Sequence, residues 1–453
     1  MTTNYGEYVP STVVDASATS DVERIAAPAR AAARGRPTVL TSADFARDVL
    51  APFVTTRLAL VFIGLLAQFY ISPLMTENLT GHPIAANLRL PSALWLMWQR
   101  FDSNYYTFIA HHSYYLASTL HSRSDWVFFP LFPWVFSPLG RLLGGNSTAY
   151  AIAGIAVSNL AALVASTYLY LLVRREFGRQ TAVRSVLIML LFPMSFYLSA
   201  VSSESTLLAC ALASLYYARE RRWLLAGLCG GLAALARLQG VLLLVPLSWE
   251  LWQVLSNTYA PLPARSRWRL WVLSRLWGPW FALRKIGTWG ALLSLSLVPC
   301  GTLVFVAYAA IHTGNPLASF QNEALWGRHL SAPWTTLATS LLNPTPADPH
   351  DWNFWLLNNV AALGFLGVVV WAFIRLPVIY AFYALTAVLA PLASGSMQSL
   401  GRYYVVVFPA FILLALWSGH TTSPERSAGL LALFASLQAL FMVFFVLGLH
   451  SVV

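Results

Sequence analysis

Charge is what this 453-residue chain lacks. Asp, Glu, Lys and Arg together make up 10% of it, against 58% hydrophobic residues. A soluble globular protein carries about 25% charged residues. Too little charge is present to cover a water-exposed surface of this size, so most of the surface must face lipid. That excludes a soluble enzyme, a secreted disulfide scaffold and a nucleic-acid-binding domain. Lysine is almost missing: Lys285 stands alone among 28 basic residues. A phosphate-cradling G-x-x-x-x-G-K loop needs glycine directly before its lysine, and Arg284 occupies that place. No D-x-D pattern is present. Cysteine is scarce as well. Cys210, Cys229 and Cys300 all fall inside apolar runs, spaced for neither zinc nor a redox pair.

What the chain has in quantity is long apolar runs. They lie near 50–72, 148–173, 182–200, 205–218, 223–237, 240–256, 289–312, 354–374, 377–394, 402–419 and 428–450. A helix needs about 20 residues to cross a bilayer, so about eleven transmembrane helices are expected in an all-α polytopic fold. The run 126–143 carries Pro130, Pro133 and Pro138. Three prolines break the hydrogen-bond ladder that a lipid-exposed helix requires.

Positive charge decides the orientation. The net charge is +11, and cytoplasmic loops concentrate arginine and lysine. If 126–143 does not cross, Arg174, Arg175, Arg179, Arg184, Arg219, Arg221, Arg222 and Arg375 all land inside. The expected outer loops are then 73–147 and 313–353. Residues 1–48 contain no signal-peptide pattern and read as a disordered cytoplasmic tail, leaving 49–453 as one membrane domain. The stretch 262–287 alternates arginine with Trp268, Trp271, Trp277 and Trp280, the pattern of a helix lying on the inner leaflet. The chain is expected to be a multi-pass integral membrane protein, of a bacterial plasma membrane or, in a eukaryote, of the ER.

Ionisable groups near the membrane are costly to place, by about 2.5–3.5 kcal/mol at the bilayer centre. Those at the expected outer helix ends are Asp102, Glu204, Arg237 and Arg402. They are joined by Gln398 and by the loop residues Gln321, Trp326 and Arg328. All fall on one side, which points to one outward-facing site. Asp102 follows Trp98-Gln99-Arg100-Phe101, just beyond the first span. A partly desolvated carboxylate there can take a proton from a hydroxyl; the alternative is an aspartate that caps a short helix. His111 and His112 are adjacent and should point in different directions, a poor metal pair. Phe128-Phe129-Pro130-Leu131-Phe132-Pro133 fits either a lipid-tail groove or a kinked packing element. Ser202-Ser203-Glu204-Ser205 suits a helix start. Arg237 and Arg402 either snorkel to the border or hold a lipid phosphate.

Taken together these residues resemble the PIG-V-type mannosyltransferases, of the GT-C class of polytopic glycosyltransferases. Trp98 to Tyr114 approaches the family pattern W-x-x-W/F-D-x-x-x-Y-x-x-I-A-x-x-G-Y, and 128–133 matches F-F-P-L-[FY]-P. Ser202 to Ser205 approaches Y-S-E-S, and Arg237-Leu238-Gln239-Gly240 matches R-x-x-G. Gly314 to Arg328 approaches G-x-P-x-x-F-x-x-x-x-x-W-x-R, with one residue more between Pro316 and Phe320, and Arg402 to Pro409 carries R-Y-x-x-x-x-F-P. The set keeps its order over about 300 residues. Ser113 stands where the family has Gly, and Ser202 where it has Tyr.

The resemblance implies a GT-C-like bundle with juxtamembrane helices in the first outer loop. It implies a polyprenyl-phosphate-mannose donor and inverting transfer, with Asp102 as catalytic residue and no cofactor. The acceptor is then a lipid-linked or glycolipid hydroxyl. The roles that follow for the remaining residues are donor-phosphate binding by Arg237 and Arg402, and substrate binding by Glu204, Gln321, Trp326, Arg328 and Tyr106. Three alternatives stand beside this reading: a lipid or sugar transporter, whose signs would be inverted repeats and broken helices, a non-catalytic assembly subunit, which would tolerate loss of Asp102, and a related enzyme using another polyprenyl-phosphate sugar.

Overall fold

The computed structural model describes residues 40–71, 90–114, 125–259, 286–344, 354–419 and 424–449. The expected tail up to residue 39 lies outside them, as does the Arg/Trp stretch 262–285. Every one of the eleven apolar runs contains helix, and no strand occurs among the described residues. In chain order the helices are α1 (Ser42–Ile71), α2 (Leu90–Leu96), α3 (Ser103–His112), α4 (Leu131–Leu142), α5 (Ser147–Phe177), α6 (Arg179–Leu191) and α7 (Glu204–Arg219). There follow α8 (Trp223–Ala236), α9 (Leu244–Tyr259), α10 (Ile286–Thr313), α11 (Pro333–Leu342), α12 (Trp355–Arg375), α13 (Val378–Leu392), α14 (Pro409–Gly419) and α15 (Pro424–Leu447).

Two expectations change. Residues 42–48, read as tail, form the first turns of α1: Thr41 Oγ1 caps the helix by accepting from Asp44 N–H at 3.1 Å, and Asp48 is 3% exposed. Among the described residues, six helices are long and apolar enough to cross a membrane, or seven if the pair 400–406 and α14, bent by 75°, counts as one span. The runs 182–200, 205–218, 223–237 and 377–394 give helices of 13, 16, 14 and 15 residues. At a rise of about 1.5 Å per residue these are shorter than the roughly 30 Å of hydrocarbon. Segment 126–143 contains only the 12-residue α4.

α5 is the ruler of the bundle. Asn146 caps it, accepting from Ala149 N–H at 2.8 Å, and it runs 31 residues to Gly178, where φ is +87°. At its C-terminal end Asp48 accepts from Arg179 through two 2.7 Å bonds and from Tyr170 Oη at 2.8 Å. Arg219 joins Glu176 and Glu250, Arg174 meets Asp44, and Arg175 pairs with Glu220. Arg174, Arg175, Arg179 and Arg219 therefore gather at one end of the molecule. At the opposite end, Tyr150 packs into an aromatic cluster with Tyr106, Phe128, Phe132 and Val201.

Two local features shape that second end. Pro193 follows α6, and a residue before proline leaves the helical region. The freed carbonyl of Leu190 accepts from Arg57, Ser195 and Gln438, so the stretch 192–203, whose one helical part is the 3-10 turn Ser195–Leu198, is satisfied inside the bundle and delivers Glu204 to the start of α7. Meanwhile α8 and α10 approach backbone to backbone. A Cβ at Gly301 would lie 1.9 Å from the Gly231 carbonyl oxygen, and one at Gly227 would lie 1.8 Å from that of Ser294. Small residues permit this approach. It sets where α8 ends, and hence where Arg237 begins the next turn.

Candidate active site

Asp102 sits in a tight turn between α2 and α3. Phe101 takes φ +54°, a left-handed conformation that is costly for an aromatic residue. The turn places Asp102 at the start of α3, but its side chain caps nothing. Instead Oδ2 accepts from Arg402 Nη1 at 2.7 Å. The capping alternative weighed from sequence therefore does not hold. The carboxylate remains 17% exposed.

Arg402 is 2% exposed, and its two ion pairs face in two directions. Nη1 reaches Asp102 while Nε donates to Glu204 Oε1 at 2.6 Å. Glu204, fully buried, also accepts from Arg237 Nη1 at 2.5 Å. The Arg237 guanidinium lies 4.9 Å from the centre of the Tyr403 ring, and Arg328 lies 5.7 Å from the same ring. Arg328 donates to Tyr403 Oη and, at 3.3 Å, to Glu323. Charges thus alternate along a chain: Asp102, Arg402, Glu204, Arg237, then across the Tyr403 ring to Arg328 and Glu323. Three carboxylates balance three guanidinia, which is what makes their burial tolerable.

This chain borders a cavity of about 620 Å³. Asp102, Tyr106, Arg237, Trp326, Arg328 and Tyr403 line it, with Gln239, His329, Gln398 and Ser399. One wall is aromatic: Tyr105 stacks on Phe128 at 4.9 Å, and Trp326 meets both edge-on at 5.2 and 5.5 Å. Phe128 and Phe129 of the F-F-P segment reach this wall. Tyr106 stands one turn beyond Asp102 and shares a 2.7 Å hydrogen bond with Ser203 Oγ. Burial pushes its hydroxyl above the ordinary tyrosine range, so it acts as a neutral hydrogen-bonding group. For Arg328, the Tyr403 oxygen beside it reinforces the charged form.

The R-x-x-G element acquires a physical reason here. Arg237 leaves α8 in an extended conformation, and the chain folds back so tightly that a Cβ on Gly240 would sit 2.1 Å from the Ala233 carbonyl oxygen. Ser113 ends α3 at φ +69°, ψ −175°, a region essentially reserved for glycine. Glycine at that place in the resembling family is thus a backbone requirement.

Asp102, Arg237, Tyr106, Trp326 and Arg328, all singled out from sequence, meet in one cavity. Three other expectations are corrected. Arg402 is not on the cavity wall: it lies behind it, paired with Asp102 of the wall and with Glu204. Glu204 lies behind the same wall, holding Arg402 and Arg237 rather than facing the space. Gln321 is exposed and accepts from Asn315 Nδ2 at 2.8 Å, away from the lining. His111 and His112 do not diverge, since their rings lie 3.9 Å apart. Even so, no group of three or more metal-ligating side chains is assembled among the described residues. Tyr403, Glu323, Gln239 and His329 escaped the sequence reading. Tyr403 adjoins a flagged arginine, and Gln239 lies inside the R-x-x-G element, so their neighbours were the available signal.

The family model described as Dolichyl-phosphate-mannose-protein mannosyltransferase matches residues 121–270. No curated protein matches the chain. Among solved structures, ArnT from Cupriavidus metallidurans bound to undecaprenyl phosphate is 16% identical, with a TM-score of 0.48 over 75% of this chain and 60% of that one. Apo ArnT from the same organism is 15% identical, with a TM-score of 0.48 over 80% and 75%. The archaeal oligosaccharyltransferase AglB from Archaeoglobus fulgidus, in complex with an inhibitory peptide and a dolichol-phosphate, is 13% identical, with a TM-score of 0.40 over 88% and 56%. This chain therefore spans between just over half and three quarters of the length of these structures.

Proposed function

We propose that the protein is an inverting membrane glycosyltransferase that moves mannose from a polyprenyl-phosphate-mannose donor to a hydroxyl of a lipid-linked or membrane-associated acceptor. One observation carries the reading: a partly exposed carboxylate, Asp102, and two arginines, Arg237 and Arg328, line a single cavity beside an aromatic wall. The matching family description, in which the sugar named is mannose, supports the choice of sugar. The gathering of arginines at the far end of α5 supports an extracytoplasmic site, because that end then faces the cytoplasm.

In this mechanism Asp102 takes the acceptor hydroxyl proton as the oxygen attacks the anomeric carbon from the face opposite the phosphate. The new carbon–oxygen bond forms while the bond to phosphate oxygen breaks, and the electron pair leaves with polyprenyl phosphate. A phosphate leaves readily, so a single base suffices. Arg237 and Arg328 steady its charge by charge-assisted hydrogen bonds. Arg402 acts behind the wall as a positioning residue for Asp102, in place of the phosphate-binding role expected from sequence.

Asp102→Asn keeps the size and removes the base. Transfer from polyprenyl-phosphate-mannose in detergent falls by roughly 100-fold or more, while binding of the donor persists. Near-normal turnover in that variant refutes the assignment. A wild-type protein that transfers no mannose in detergent, where no compartments exist, favours a transporter.

A further inference from the structure

The charged groups of the cavity are committed to one another: Arg402 to Asp102 and Glu204, Arg237 to Glu204, Arg328 to Glu323. Several neutral polar groups on the same wall are not. Gln239 belongs to the turn after α8, and Gln398 to the turn before Arg402. Both are half-buried, both line the cavity, and neither side-chain amide has a hydrogen-bond partner among the described residues. Each carboxamide offers two N–H donors and a carbonyl acceptor. Both amides are open to the cavity and uncommitted to protein partners, so they are free to bond a ligand there.

His329 adds a third group to this wall. Its backbone N–H donates to the Ser394 carbonyl oxygen at 3.0 Å, pinning the segment to the end of α13. Its ring lies against Gly395, where φ is +70° and a Cβ would come within 2.6 Å of the imidazole. Glycine at 395 is thus what seats the ring. Phe128 and Trp326, in edge-on contact with each other, also line the cavity and offer an apolar surface suited to the C–H face of a sugar.

We propose that Gln239, Gln398 and His329 form the subsite that reads the hydroxyls of a neutral hexopyranose, with Phe128 and Trp326 under its apolar face. The subsite rests on the transferase reading for its occupant and extends it by naming the groups that recognise the sugar rather than its phosphate. The two carboxamides carry no charge, so recognition through them selects a hydroxyl pattern.

The test compares binding of polyprenyl phosphate and of polyprenyl-phosphate-mannose to the full chain in nanodiscs. Wild type prefers the mannosyl ester by about 10-fold or more, the worth of one or two net hydrogen bonds. The double variant Gln239→Leu/Gln398→Leu loses that preference and keeps its affinity for polyprenyl phosphate. Gly395→Ala, which displaces His329, reduces the preference several-fold. Survival of the preference in the double variant overturns the subsite, as does its absence in wild type with both the mannosyl and the glucosyl ester. If the double variant also loses polyprenyl phosphate, the single variants Gln239→Asn and Gln398→Asn decide: a reduced preference with phosphate binding intact supports the subsite, and equal loss of both overturns it. Mannose transfer by wild type is measured separately. Transfer with a surviving preference removes the subsite and leaves the transferase. A preference lost on mutation, in a protein that transfers nothing, removes the transferase and leaves the sugar site.

Discussion

Arg402 gives the sharpest contrast between what its position in the sequence suggests and what its surroundings allow. A phosphate-holding arginine and one that positions the base predict opposite kinetics. The guanidinium donates through Nη1 to Asp102 at 2.7 Å and through Nε to Glu204 at 2.6 Å, two directions fixed by one rigid plane. Arg402→Lys keeps the charge and offers a single nitrogen, so one of the two bonds is lost. A hydrogen bond between charged groups contributes about 1.5–3 kcal/mol. If Asp102 is the one released, its mispositioning lowers kcat by about 10- to 150-fold. Donor affinity stays within about 2-fold, because the cavity wall is unchanged. Single-turnover transfer and equilibrium binding of polyprenyl-phosphate-mannose separate the two quantities. A variant with normal kcat and strongly weakened donor binding refutes the positioning role and restores Arg402 to the phosphate.

Three further outcomes test the surrounding structure. Ser113→Gly relieves a backbone conformation that costs about 1–3 kcal/mol and forfeits the 3.1 Å contact with Tyr308; the thermal midpoint should rise, and a fall contradicts the strained geometry. Gly301→Ala places a methyl group 1.9 Å from the Gly231 carbonyl oxygen, so α8 and α10 must part at a cost of about 1–3 kcal/mol; unchanged thermal stability in detergent would show that the helices are not that close. Asp48→Asn leaves Arg179 without its charged partner at the far end of α5. Arg179 is half-exposed, so water screens part of the loss; the half-life of the folded state shortens while donor affinity is unchanged, and a variant that weakens donor binding as strongly as stability argues against two separate ends.

The helices were legible because their cause is local. A scarcity of charge and eleven apolar runs leave a chain no solvent but lipid, and each run contains helix in the structure. The breaks were less legible: 182–200 reads as one continuous run, yet its helix ends at Leu191, two residues before Pro193, and α8 ends where Arg237 turns extended. Those interruptions depend on partners far along the chain, such as Arg57 and Gln438 satisfying the carbonyls at Leu190. Asp102 was visible as a lone acid among aromatics. Its freedom from capping was not, because that depends on Arg402.

From the sequence alone came the solvent, the helical class and the identities of the ionisable groups worth attention, since composition and periodicity act through neighbours a few residues away. Which of those groups face open space, and which stand behind it, only the tertiary structure decided. Glu204 and Arg402 are separated by 198 positions and joined by a 2.6 Å bond. No pattern within either segment contains that pairing, which arises where the start of α7 meets the bend before α14, and it turns an apparent phosphate ligand into the holder of a carboxylate.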